Sequence, residues 1–214
     1  MEEKQTKRTA RRVITKIDHD RVIMFSDGIF AIVLTLLVLE VTAGDGNAWH
    51  DLKEALPELG VFAWSFFLGV RFWLLHVRLF GAIKGKIPED FADTNALLLF
   101  FVALLPFSTK FFSDHFHQAW GAAVYAIVIG MIGLCQARLR SRILHHAGDD
   151  QSEEVQAVRD AWPYIIIPSL MALSIPFAFL SAIVAYSVWG LFILINIIRG
   201  IWLKLHGQIV SRMQ

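Results

Sequence analysis

The chain of 214 residues has a single cysteine, Cys135, and it lies inside an apolar segment. A disulfide framework or a thiolate metal site needs several cysteines, so the sequence excludes both. The histidine pairs His115-x-His117 and His145-His146 lack the partner ligands at set spacing that a zinc site requires. No phosphate-binding glycine loop and no nucleophile elbow is present. We therefore expect no metal site and no resident cofactor, and we expect that the protein is not an enzyme.

Charged residues are also scarce, at 18% of the chain, whereas hydrophobic residues make up 56%. The apolar residues fall in blocks that are long enough for a helix to cross the hydrocarbon core of a membrane. No block alternates apolar and polar residues as a strand of a membrane β-barrel does. The pattern predicts an all-α integral membrane protein with six spans: Val22–Val41, Leu59–Phe80, Ala92–Ser113, Ala119–Ala137, Pro163–Ala182 and Ile183–Leu203. The last two spans form one long apolar run, and we expect a hairpin near Ser181–Ser187 to separate them.

The basic residues predict how these spans are oriented. With six spans, 17 of the 20 Lys and Arg residues lie on one side, only Lys53 and Lys110 lie toward the other, and Arg71 lies inside a span. The positive-inside rule then places both termini in the cytoplasm of a cell-membrane protein. We expect a basic cytoplasmic tail at 1–21, a single six-span domain at 22–205 and a short cytoplasmic tail at 206–214. The basic tail is typical of a topology signal or a contact for anionic membrane lipids, and no nucleic acid partner is expected.

Polar residues inside the spans are the main candidates for function, because an ionisable group in a membrane helix is energetically costly. Ser26 and Asp27 lie in the first span, Arg71 and His76 in the second, and Asn95 near the start of the third. If the spans alternate in direction, Asp27, His76 and Asn95 lie at a similar depth toward the cytoplasmic side. Two interpretations follow: a structural hydrogen-bond cluster that joins the first three helices, or a proton relay.

The first span also carries an apolar stripe. At about 100° per residue, four positions fall within roughly 100° of arc: Ile32, Thr35, Leu36 and Leu39. Asp27 lies about 140° from Ile32 on the same helix. If the stripe faces a symmetry axis, Asp27 must face the helix bundle. The stripe fits a pore lining, and it equally fits an ordinary core or lipid contact.

The start of the first span resembles the signature of the transmembrane protein 175 family. The matching residues are Arg21-x-x-x-Phe25-Ser26-Asp27, followed by GIFAIVLTLL. This family includes the endolysosomal potassium channel and its prokaryotic homologues. The combination of a charged motif with the start of a membrane span makes the resemblance specific.

Two later segments resemble the same family in the same order. FWLLH, which contains Trp73 and His76, is similar to the family's second-helix pattern. Asn95 and the segment ALLPFST at 103–109 are similar to its third-helix pattern. The resemblance therefore covers at least the first three helices, and the six-span layout fits the rest of the chain.

The resemblance implies a potassium-selective cation channel in which K⁺ is the permeant ion. Prokaryotic members have one six-span repeat and form homotetramers, and this chain has one repeat. In the family the first helix lines the pore, and a ring of bulky apolar side chains forms the constriction. The matching positions are Ile32, Leu36 and Leu39, with Thr35 as the hydroxyl-bearing position for selectivity.

Elementary physics fits this implied pore. A narrow apolar ring blocks ions by dewetting, without a charged gate. Glu40 lies about 80° from Ile32, so it is either part of an outer vestibule or a solvated helix end. The alternative function is a proton-coupled cation transporter or a proton-conducting channel in which Asp27 and His76 titrate.

Overall fold

The computed structural model describes residues 18–42, 44, 46–83, 87, 89–160, 162–181 and 184–191. Most of these residues are helical and the others lie in turns, loops or, at residue 87, an isolated β-bridge. No β-strand is present among the described residues, so the all-α prediction is confirmed. A 3-10 turn, Leu37–Glu40, continues the first helix, and residues 184–191 are also helical. The α-helices are α1 His19–Leu36, α2 Ala48–Gly81, α3 Glu89–Ala103, α4 Leu105–Asp114, α5 Ala119–Ala147, α6 Glu153–Arg159 and α7 Trp162–Leu180.

Five helical segments are long and apolar enough to cross a membrane, which makes the chain a multi-pass membrane protein: His19–Glu40, Ala48–Gly81, Phe91–Asp114, Ala119–Ala147 and Glu153–Leu180. Each contains or overlaps one of the first five predicted spans. The sixth predicted span, Ile183–Leu203, lies mostly outside the described residues, as do most of the tail at 1–21 and all of the tail at 206–214. At the predicted hairpin, α7 ends at Leu180 and the chain is helical again from residue 184.

The third span is predicted as one continuous block, but it is two helices that meet at Leu104. Pro106 lies in the first turn of α4, has no N–H to donate and cannot continue α3. The Leu104 N–H contacts the carbonyl oxygens of Phe100 and Phe101, each at 3.2 Å. The break therefore follows from proline chemistry inside an otherwise apolar span.

The most buried span is α5, which packs against α3, α4 and α7. In its most apolar 18-residue window, 67% of the residues are buried, against 22% for the span that contains α1. Gly133 shows how closely α7 approaches, because a Cβ atom added there would lie 2.8 Å from Cδ of Pro168. Small residues at a helix contact allow this close packing in membranes. In the described part of the chain, α1 is thus the span with the least protein around it.

Candidate functional site

The first helix has one buried face. Ser26, Phe30, Val33 and Leu37 are all buried, and they recur at the three- and four-residue spacing of a single helical face. This face packs into a core that also contains Phe72 of α2 and Leu98 of α3. The contact holds α1 at a defined rotation against the second and third helices, so the opposite face is left outside the subunit.

A chain of hydrogen bonds links α1, α2 and α3 at this buried face. The amide of Asn95 donates to Ser26 Oγ at 3.0 Å, and His76 Nε2 lies 2.9 Å from Asn95 Oδ1. Ser26 Oγ in turn donates to the carbonyl oxygen of Val22 at 2.8 Å. Because the Asn95 oxygen can only accept, His76 must donate from Nε2. The three side chains that satisfy one another are buried, and each comes from a different helix.

The other ring nitrogen of His76, Nδ1, is buried without a hydrogen-bond partner among the described residues. The imidazole stacks on Phe80 with ring centroids 4.4 Å apart, and Phe30 packs on it at 5.5 Å. With Nε2 protonated, Nδ1 carries a lone pair that no N–H or O–H meets. His76 is thus enclosed by aromatic rings, with one unused acceptor atom.

Asp27 has a different partner from its neighbour Ser26. Trp73 donates its indole N–H to Asp27 Oδ1 at 2.9 Å, and the carboxylate is half-buried. His76, Asn95 and Arg21 are its candidate partners from the sequence, but none of them forms a described hydrogen bond to it. Successive residues on a helix point about 100° apart, so Ser26 and Asp27 reach different parts of the bundle. The adjacent signature residues Ser26 and Asp27 therefore form two separate contacts, one with Asn95 and one with Trp73.

Arg21 and Phe25, the other two signature residues of α1, are both exposed on the subunit. Phe25 has 64% of its surface accessible. They lie on the same side of α1 as the predicted pore stripe. The structure thus places two signature residues on the exposed face and two at contacts within the bundle.

The four predicted stripe residues are exposed on the single subunit: Ile32, Thr35, Leu36 and Leu39. The apolar members have accessible fractions of 59% for Ile32, 41% for Leu36 and 72% for Leu39. The hydroxyl of Thr35 donates to its own helix, at 2.8 Å from the Ile32 carbonyl oxygen and 3.1 Å from that of Ala31. In a membrane such an apolar face must contact lipid, another subunit or a pore.

Glu40, the predicted vestibule residue, ends the 3-10 turn and is half-buried. A set of polar contacts lies just beyond it. Glu58 accepts the backbone N–H of Thr42 at 2.7 Å, and Lys110 lies 3.9 Å from Glu58 and 2.9 Å from Asp114. These contacts tie the end of the first span to α2 and α4. Lys110 therefore places a positive charge among the acidic side chains at this end of the subunit.

Comparison with known proteins finds similarity to one family of channels. Residues 21–106 match the family described as the endosomal/lysosomal potassium channel TMEM175. The fold agrees with a crystal structure of a lysosomal potassium-selective channel TMEM175 homologue from Chamaesiphon minutus, with a TM-score of 0.71 and 27% identity over 85% of this chain and 97% of that one. Residues 21–106 therefore resemble the TMEM175 family, and the fold of most of the chain agrees with that of a TMEM175 homologue.

Other sequences related to TMEM175 differ in the ion that their names give, which is potassium for some and the proton for others. A protein named as a potassium channel in Chryseobacterium sp. strain P1-3 is 29% identical over 175 residues, which is 81% of this chain and 90% of that protein. A zebrafish (Danio rerio) protein named as the endosomal/lysosomal proton channel TMEM175 is 24% identical over 122 residues. That match covers 55% of this chain and only 23% of the zebrafish protein.

A second buried polar cluster was not predicted from the sequence. Thr109 of α4 donates to Ser65 of α2 at 3.0 Å, and Ser65 lies 3.0 Å from the hydroxyl of Tyr125 on α5. Thr109 belongs to the segment that resembles the TMEM175 third helix, although Thr109 and Tyr125 both lie beyond the residues 21–106 that match the family. A search for every hydroxyl side chain within the spans would have found these residues, although not their pairing.

One group of described residues has the geometry to hold a cation, but it lies at the surface in the first two turns of α2. Ligand atoms of His50, Asp51 and Glu54 lie within 4.8 Å of one another. Asp51, in the first turn of α2, already accepts the backbone N–H of Gly46 from the preceding loop at 2.9 Å. The TMEM175 resemblance assigns no role to this group.

Proposed function

We propose that this chain is the subunit of a potassium-selective channel that conducts K⁺ passively through a homotetrameric pore lined by α1. The observation that carries the proposal is the exposed stripe of α1, which continues along the helix while the opposite face is anchored by Ser26 and Asn95. The likeness to proteins named as potassium channels supports the choice of ion. Such a channel needs no resident cofactor and no catalytic residue, because K⁺ is only the permeant ion.

The constriction is formed by Ile32, Leu36 and Leu39. Four copies of α1 around an axis would bring rings of these side chains together, without any charged group among them. Water leaves a narrow apolar ring, and an ion cannot cross it without its hydration shell. The pore therefore closes by dewetting, and it opens when α1 moves away from the axis.

Thr35 supplies the polar contact within this apolar lining. The hydroxyl hydrogen of Thr35 is used within the helix, because the O–H group donates to the backbone carbonyl oxygens of Ala31 and Ile32. The oxygen lone pairs are then free to face a partly dehydrated cation. We assign selectivity to the ring of four Thr35 hydroxyls.

Glu40 lies at the outer vestibule of this pore, with both termini of the chain in the cytoplasm of a cell-membrane channel. Acidic side chains at a pore mouth raise the local concentration of cations. Lys110 moderates this field through its contacts with Glu58 and Asp114. In this scheme the signature residues Arg21 and Phe25 lie on the exposed face of α1. The polar contacts that hold α1 in place are formed by Ser26, Asp27, Trp73, His76 and Asn95.

Reconstitution of the purified chain in liposomes with a K⁺ gradient tests the proposal. We expect unitary K⁺ currents, a reversal potential that favours K⁺ over Na⁺, and a tetramer by mass in detergent. Absence of unitary currents in a sample that retains a K⁺-dependent flux would contradict the channel and indicate a carrier. A flux with no preference between K⁺ and Na⁺ would contradict the assigned selectivity.

A second candidate function is proton movement, as a proton channel or a proton-coupled transporter that uses Asp27 and His76. Two observations favour testing it: vertebrate relatives are named as proton channels, and the buried Nδ1 atom of His76 has no described partner. A pH-sensitive dye inside the same liposomes measures proton flux directly. Proton flux that the variant His76→Gln abolishes, with K⁺ current unchanged, would assign the proton path to this network.

A further inference from the structure

A cleft between α3 and α5 has a volume of about 430 Å³, and its lining includes none of the network residues Ser26, His76 and Asn95. One end of the cleft is polar and carries two guanidinium groups, those of Arg138 and Arg142, with Thr94 and Asp93 beside them. The other end is apolar and includes Leu97, Met131 and Leu134. A single cleft thus joins a basic end to an apolar end.

The helix directions explain this polarity. Phe91 of α3 contacts His146 of α5 with ring centroids 5.1 Å apart, and Arg142 donates to Thr94 Oγ1 at 2.7 Å, so the two helices run antiparallel. Along α5, Met131 lies about 16 Å from Arg142, at about 1.5 Å per residue. The arginines are therefore near the end of the span, and the apolar residues lie progressively deeper in it.

Two features of the lining bear on what fills the cleft. The apolar residues are open at the surface, with 47% of Leu97 and 55% of Leu134 accessible, and Arg138 is also exposed. The bond to Thr94, which is buried, holds the guanidinium of Arg142 against the wall of the cleft. Arginine presents several N–H groups in a plane and pairs well with phosphate oxygens.

We propose that this cleft binds an anionic phospholipid of the phosphatidylglycerol type. The phosphate would pair with Arg138 and Arg142, and an acyl chain would lie along Leu97, Met131 and Leu134. A phospholipid carries a phosphate and an apolar chain in the same molecule and in the same order as the cleft. Basic pockets between membrane helices at the end of a span are typical sites for such headgroups. To fill the same cleft, another protein would have to present an acidic group at the depth of the arginines and an apolar ridge at the depth of Leu97, Met131 and Leu134.

The headgroup hydroxyls of phosphatidylglycerol also suit the remaining polar side chain. Asp93 lies at the polar end and can accept a hydrogen bond from a glycerol hydroxyl, whereas it would repel a bare phosphate. The site is therefore expected to bind the lipid more tightly than it binds the free anion.

Native mass spectrometry of the full chain in detergent, titrated with phosphatidylglycerol or phosphatidylcholine, tests the proposal. The double variant Arg138→Gln/Arg142→Gln should weaken binding of one phosphatidylglycerol per subunit about 30-fold, since each arginine near the membrane surface contributes about fivefold. Binding of phosphatidylcholine should not change. The matched control is Arg78→Gln, which removes an exposed arginine at the end of α2, outside the cleft.

Two further variants keep the test decisive if the double variant does not fold. Arg138→Lys retains the charge and should retain most of the binding, whereas Leu134→Trp fills the apolar end and should weaken phosphatidylglycerol binding with both arginines present. Unchanged lipid binding in the double variant, or in Leu134→Trp, would overturn the proposal. Full displacement of the lipid by millimolar inorganic phosphate would also overturn it, because the site would then be specific for a free anion.

Discussion

The two faces of α1 differ in chemistry and in surroundings. The buried face contacts α2 and α3 through Ser26 and Phe30 and satisfies its polar groups with Asn95. The exposed face carries Ile32 and Leu39 and has no described protein neighbour that covers it. One face thus determines where the helix sits in the subunit, whereas the other remains available for a surface that forms only on assembly.

The comparison shows why one helix can be both rigid and functional. Hydrogen bonds to neighbouring helices are directional, so they hold the rotation of α1 more strictly than apolar packing alone. A fixed rotation directs the exposed residues of α1 away from α2 and α3. A change at the buried face should therefore alter stability and opening, and a change at the exposed face should alter conduction. Substitutions confined to one face at a time therefore distinguish the two roles.

Asn95→Leu should have the largest effect. It leaves the His76 Nε2–H without an acceptor and removes the donor to Ser26, and each unsatisfied buried group costs about 1–3 kcal/mol. We expect the free energy of unfolding to fall by about 2–4 kcal/mol. Thermal unfolding in detergent measures the loss. Ala96→Leu, at the adjacent exposed position, is the matched control, and an equal loss there would mean that the network contributes nothing specific.

Ile32→Asn should raise basal K⁺ flux in liposomes at least about tenfold, because an amide wets the apolar ring and lowers the dewetting barrier. Ile32→Val keeps the ring apolar and should keep the flux low. Val38→Asn is a second control, since Val38 is exposed and lies about 120° from Ile32 around the helix. Equal flux in Ile32→Asn and the parent, with the tetramer intact, would remove Ile32 from the constriction.

Asp27→Asn should lower the stability of the assembled subunit by about 1 kcal/mol, because a charge-assisted hydrogen bond from Trp73 becomes a neutral one. Ion selectivity should stay at the parent value, since Asp27 lies away from the stripe. Trp73→Phe and the double variant complete a cycle that isolates the pair. Poor discrimination between K⁺ and Na⁺ in a stable Asp27→Asn tetramer would place Asp27 in the conduction path.

Thr35→Ala should have the smallest effect on the protein, since Thr35 is exposed and bonds only within its own helix. We expect the permeability ratio of K⁺ to Na⁺ to fall about two- to tenfold, the range that one hydrogen-bond-sized contact produces. Thr35→Ser retains the hydroxyl and should retain the ratio. Bi-ionic reversal potentials measure it, and an equal ratio in Thr35→Ala and Thr35→Ser would assign selectivity to other residues.

The polar network was only partly predictable from the sequence. The residues Ser26, Asp27, His76 and Asn95 stood out because polar groups are rare in membrane spans, and alternating spans put Asp27, His76 and Asn95 at a similar depth. That His76 meets Asn95, while Asp27 meets Trp73, could not be predicted. Partner choice depends on how each helix is rotated and shifted against the next, and a single sequence contains no measure of either.

The sequence by itself determined the membrane-spanning architecture and the apolar stripe of α1. Both follow from properties that act residue by residue: transfer of apolar side chains from water into lipid, and a helical period of about 3.6 residues. Only the tertiary structure decided which polar groups pair and which face of α1 is covered, and it alone brought Leu97 and Leu134 into one cleft with Arg138. These features depend on distances between residues far apart in the chain, which are determined only when all the helices pack at once.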